Sequence, residues 1–193
     1  MVDFKRFEDE LYTHGMQAFR RIRELRPGHK FYCFAFFTSG EFGYMGATAS
    51  SYQGLEEVAR RYKAHDGYQD RPLDQLRKEL KWSPVDSPLH TDPGGILDAV
   101  QATMDQVAAE LDSSYKDDGE WENFEIYVAR IKDSITNALR RLDRDGIFGQ
   151  GQERTQVVVN LLMGDQTHAD RIEFARKVNP PESVQMLIND LAA

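Results

Sequence analysis

Thiols are almost absent from this sequence: Cys33 is the one cysteine in 193 residues. A disulfide needs two cysteines and a cysteine-based metal knuckle needs several, so neither framework is available within the chain. Cys33 lies inside the apolar run FYCFAFF, where a thiol behaves as a small buried hydrophobe. Basic residues are also in deficit. Lys and Arg number 24 against 32 Asp and Glu, a formal net charge of −8, whereas proteins that grip phosphate backbones concentrate cations. Nucleic acid is therefore not an expected partner. No apolar stretch approaches the roughly 20 residues that a membrane-spanning helix requires. The opening MVDFKRFEDELY places acids and bases at helical spacing and lacks the basic, apolar and small-residue order of a secretory signal. The expectation is one water-soluble, cytoplasmic domain over residues 1–193 with no membrane partner. Its 40% hydrophobic and 29% charged residues are ordinary globular values, and a second core would leave each half marginal in size.

Signatures of catalysis are scarce too. The histidines at 14, 29, 65, 90 and 168 form no H-x-H or H-E-x-x-H pair, so zinc is not indicated and no metal or cofactor is expected. Asp143-Arg144-Asp145-Gly146 resembles a piece of a calcium loop, but Arg141 stands where the first ligand belongs. The glycines from Gly146 to Gly151 precede a strand, whereas phosphate loops follow one and open a helix. No G-x-S-x-G element is present.

What the chain does have is clear periodicity. Phe4, Phe7, Leu11, Ala18, Ile22 and Leu25 recur at helical steps behind the cap Asp3 and stop at Pro27-Gly28. Residues 31–37 and 156–163 are short, almost wholly apolar runs, the pattern of central strands covered on both faces. After a turn at 39–43, residues 44–50 return as a second hairpin arm. Ser50 with Gln53 opens the next helix, and another spans about 73–80. Ile96, Val100, Met104, Val107 and Leu111 share one helical face, and Phe124, Val128, Ile131, Ile135, Leu139 and Leu142 another. These make a long helical hairpin with an acidic connection. Thr167 with Asp170, and then Asn179-Pro180, start the last two helices. The expected fold is α+β: a small, mainly antiparallel sheet of three to four strands packed with six to seven helices.

Three groups of residues invite a functional reading. Asp112, Asp117, Asp118, Glu120, Glu122 and Glu125 face only Lys116 in a stretch that also contains Trp121. An acidic surface of this kind suits a basic protein partner, and Asp117, Asp118, Glu120, Trp121 and Glu122 are the partner-binding candidates; a solvated helix connection explains the same charges. Asp165, His168 and Asp170 follow the second central strand, where carboxylates and an imidazole can bind a metal or move a proton, although capping alone accounts for Asp170. Finally, KWSPVDSPLH at 81–90 breaks the helical pattern, because its prolines remove backbone donors and push Ser83 and Ser87 out of the α region. Trp82 is expected to anchor this segment, with Ser83 or Asp86 capping its turn. The other reading makes Trp82, Asp86 and His90 the rim of a recognition groove.

Trp82-Ser83-Pro84-Val85-Asp86 in mid-chain, the aromatic strand near the N-terminus, Phe148-Gly149 and Arg154 before a strand, and Asn179-Pro180 near the end occur here in order. Together they resemble an uncharacterised bacterial domain-of-unknown-function family of about this length, DUF4303. The resemblance implies no catalytic residue, because none is established for that family. By analogy with small cytosolic bacterial proteins, it suggests a non-enzymatic interaction protein, such as an immunity protein neutralising a toxin. The alternative is a small hydrolase or metal-dependent enzyme using Asp165, His168 and Asp170.

Overall fold

The computed structural model describes residues 1–90, 95–115, 121–164 and 166–192. Helix α1 spans Phe4–Leu25, and the Asp3 carboxylate accepts from the amides of Lys5 and Arg6 as its cap. Strands β1 (Phe31–Thr38) and β2 (Gly46–Ser51) pair antiparallel, and α2 (Tyr52–Lys63) and α3 (Leu73–Leu80) follow. A 3-10 turn over Pro84–Asp86 and another over Ile96–Val100 lead to α4 (Gln101–Tyr115) and α5 (Trp121–Arg144). The short α6 (Gly151–Arg154), β3 (Val158–Met163), α7 (His168–Val178) and α8 (Pro181–Leu191) complete the chain. Helices α4 and α5 pack together, and Tyr127 donates to Glu110 between them at 3.1 Å.

The sheet has three strands in the order β2-β1-β3, which makes the fold α+β with a small sheet, as expected. It is mixed rather than mainly antiparallel, because β3 runs parallel to β1, with Phe34 beside Val159 and Thr38 beside Met163. The reason is topological. More than a hundred residues of mostly helical chain separate the two strands, and such a crossover returns a strand in the same direction. Alternation along the strands divides the core. Phe34, Phe36, Val159 and Leu161 join α1, α4 and α5 on one face, whereas Cys33, Ala35 and Leu162 face the side of Trp82 and Leu55. Val158, Ala175 and Leu187 form a neighbouring cluster under α7 and α8, and Trp82 packs against both of these smaller clusters.

Helix α1 lies close against β1 because Gly15 leaves room: a Cβ there would stand 2.6 Å from Phe36 Cζ. Capping of α2 differs by one residue from the expected Ser50. Ser51 Oγ accepts from the Gly54 amide, while Gln53 accepts from Lys30 N on the neighbouring loop. The Thr167–Asp170 capping box of α7 is formed as expected.

Candidate functional site

A cleft of about 510 Å³ opens at the carboxyl ends of β1 and β3. Phe37 and Thr38 of β1 and Leu162 and Met163 of β3 supply its base. One wall is the end of α3 with Trp82, Ser83, Val85 and His90, and the other is α7 with His168 and Arg171, backed by Asp190 of α8. In sheets with parallel strands this is where strand ends and the following helix converge on ligands.

Local contacts hold the Trp82 wall in place. Tyr32 donates its hydroxyl to Lys81 O at 2.6 Å, and Lys81 Nζ pairs with Asp190 at 2.6 Å. The same ammonium lies 5.5 Å from the rings of Tyr32 and Tyr52 and 5.7 Å from that of Trp82. Trp82 stands edge-on to Tyr32 at 5.4 Å. Asp86 closes the turn: its carboxylate accepts from Ser83 Oγ at 2.6 Å and from the Tyr62 hydroxyl at 2.5 Å, a bond that raises the Tyr62 pKa. Downstream, Ser87 Oγ donates to Ala49 O at 2.5 Å and the Ala49 amide donates to Leu89 O at 3.4 Å. The segment thereby covers the outer edge of β2, which would otherwise offer unpaired backbone groups.

The lining carries two acids, Glu79 and Asp190, and two cations, Lys78 and Arg171. Glu79 is paired with Arg71 at 2.6 Å and Asp190 with Lys81, so both acids of the lining are neutralised. Among the described residues, Lys78 and Arg171 have no carboxylate partner. Arg171 donates Nη1 to Trp82 O at 3.0 Å, and burial holds its guanidinium below the usual arginine pKa. Among the described residues, the two acids of the lining are thus paired while its two cations, Lys78 and Arg171, are not.

Three buried nitrogens at this cleft lack hydrogen-bond partners: Trp82 Nε1, Arg171 Nε and His90 Nδ1. Native structures leave few such groups, so three together mark the place as unusual. Trp82 and Arg171, with the unpartnered Thr48 hydroxyl, also border an inner void of about 10 Å³, room for about one water. His90 stacks on Phe37 at 4.2 Å between centroids, and burial lowers its pKa, which favours the neutral imidazole.

The sequence-level candidates fall in different places. Asp165, Asp117, Asp118 and Glu120 lie outside the described residues; Trp121 is the first residue of α5, and Glu122 beside it is exposed. His168 borders the cleft, but Asp170 is turned to capping, its carboxylate accepting from Thr167 N at 3.1 Å and Thr167 Oγ1 at 2.6 Å. Those bonds lower its pKa. No group of three or more His, Cys, Asp or Glu able to hold a metal occurs among the described residues. Of the motif residues, Trp82 and Ser83 line the cleft and Asp86 serves the turn behind them. The structure therefore brings Trp82 and His168, separate in sequence, to opposite walls of one cleft. Sequence reasoning missed Arg171, Lys78 and Tyr44. Only the position of Arg171, one turn into the helix that follows a central strand, could have signalled it.

A family model described as a domain of unknown function, DUF4303, matches residues 12–180. The chain belongs to that family. No curated protein and no solved structure matches it. In this DUF4303 member the residues that carry the resemblance divide by role. Arg154 and Asn179 form a buried clasp remote from the cleft: Arg154 donates to Asp143 at 2.6 Å, Val157 O at 2.7 Å, and Val178 O and Asn179 Oδ1 at 3.1 Å. Asn179 in turn accepts from Val159 N and donates to Val159 O, both at 2.7 Å, occupying the free edge of β3 as a neighbouring strand residue would. Trp82, Ser83 and Val85 instead build the cleft wall.

Proposed function

We propose that this DUF4303 protein is a non-enzymatic recognition protein of the bacterial cytoplasm, whose cleft beside Trp82 receives part of a protein partner. One observation carries the reading. Val85, 69% exposed, and Tyr44, 44% exposed, are among the few large apolar side chains left in water, and both stand at the cleft. Apolar anchors around a partly buried cation suit a docking site. The acidic stretch from Asp112 to Glu125 supplies long-range attraction for a basic partner, and neutralising a toxin is a role that such attraction serves well.

The test is crosslinking capture in the native cell with the intact chain and with the Tyr44→Glu/Val85→Glu variant, after thermal unfolding shows that the variant is folded. The reading expects a protein retained by the first and lost by the second. Equal retention by both removes the cleft as the docking surface.

The enzyme built on Asp165, His168 and Asp170 keeps one supporting fact, that His168 borders the cleft. If that site works, His168→Ala abolishes turnover of whatever substrate is found while ligand affinity at the cleft survives.

A further inference from the structure

We propose that the occupant of the cleft presents a compact oxyanion, a carboxylate or a phosphate on an apolar body, which Arg171 and Lys78 recognise. This rests on the recognition reading given above and adds the chemistry of what is recognised.

A partly buried guanidinium without a carboxylate is costly, because its lost hydration is not returned by an opposite charge. Among the described residues the Arg171 guanidinium makes one hydrogen bond, from Nη1 to Trp82 O. No acceptor for Nη2 occurs among the described residues, and planar arginine donors match carboxylate and phosphate oxygens. The described acids of the lining are engaged elsewhere, Glu79 with Arg71 and Asp190 with Lys81.

The walls define the rest of the ligand. The Phe37–His90 stack, Trp82 and Tyr44 give aromatic surface. The volume of about 510 Å³ lies within the range of about 300–1,000 Å³ typical of ligand pockets. A ring or short side chain ending in an oxyanion satisfies both halves of the site. A bare cation does not, because Arg171 and Lys78 repel it.

The experiment uses the full chain with Trp121→Phe, so that tryptophan emission reports Trp82 alone. Benzoate, phenyl phosphate and neutral benzyl alcohol are titrated at millimolar concentrations, with thermal unfolding measured in parallel. Expected are a change in Trp82 emission and a raised Tm with the two anions and neither with the alcohol; the stronger of the two anions identifies the source. Arg171→Gln should weaken anion binding about tenfold or more, as expected for a lost charge-assisted bond. Lys78→Gln, at an exposed position, should weaken it several-fold with Tm unchanged, which keeps the test meaningful if the Arg171 variant is unstable. Equal binding of the alcohol, or anion binding undiminished by Lys78→Gln and Arg171→Gln, overturns the oxyanion and leaves cleft recognition standing. Silence with every probe overturns the oxyanion, and the capture experiment then decides the recognition reading separately.

Discussion

Arg171 and Trp82 meet across 89 residues of sequence, Nη1 of one donating to the backbone carbonyl of the other at 3.0 Å. The bond ties α7 to the segment that covers β2, so the two walls of the cleft hold each other. Trp82 adds packing against two hydrophobic clusters. Both residues therefore have a structural part as well as a place in the cleft, and variants must separate the two.

Trp82→Ala removes that packing and should destabilise the fold by about 3 kcal/mol, the lower end for large aromatic truncations because the ring is only half-buried. Trp82→Phe should recover much of it. Denaturant unfolding of the three proteins checks the order, and equal stability of wild type and Trp82→Ala would show that the indole is not an anchor.

The Arg154 clasp is the second structural test. Arg154→Met leaves Asp143, two carbonyls and Asn179 without their donor in a buried place, and losses of about 3–5 kcal/mol follow from breaking such sets. Arg154→Lys should restore little, because a single ammonium cannot reach acceptors arranged around a fork. A chemical-denaturation midpoint within error of wild type for either variant contradicts the clasp.

Much of the architecture was legible because the signals are local. The two apolar runs, the α1 stripe behind Asp3 and the Thr167–Asp170 box each depend on a few neighbouring residues. The direction of β3 was not legible: pairing beside β1 is decided by a crossover of more than a hundred residues, and an apolar run reads the same in either direction. The α2 cap was displaced from Ser50 to Ser51 because Lys30 N, distant in sequence, takes the Gln53 side chain. The cleft was the least legible part. Trp82 and His168 stand out in the sequence for different reasons, and Arg171 reads as one more surface cation in HADRIEFARKV until its wall is folded against Trp82.

His90 gives a pH prediction. Burial lowers its folded pKa, opposed by the charge of Asp86, so the unfolded chain binds the proton more readily. Stability is unaffected by this group above about pH 6.5, the unfolded value, and falls as pH drops below it until the folded pKa is passed. His90→Gln should flatten that part of the stability profile. An unchanged slope in urea unfolding between pH 7 and pH 5 means that His90 is not the group responsible.

Cys33 tests the centre of the sheet. Cys33 is buried in β1, and desolvation pushes its thiol pKa up to about 12, so little access and little thiolate are available near neutral pH. A thiol reagent should label it only as fast as the protein opens, and at once in denaturant. Rapid labelling of the folded chain would contradict the placement of β1.

The most direct test of the cleft is a side-chain NMR titration of the ¹⁵N-labelled protein with benzoate, following the Nε–H of Arg171, the Nε1–H of Trp82 and the Nε–H of Arg154. Assignments come from Arg171→Lys, Trp82→Phe and Arg154→Lys. The account predicts that the Arg171 and Trp82 signals move together and saturate while Arg154, held in its clasp, stays fixed. If Arg171 and Trp82 do not move, or if Arg154 moves with them, the cleft is not where the anion is recognised.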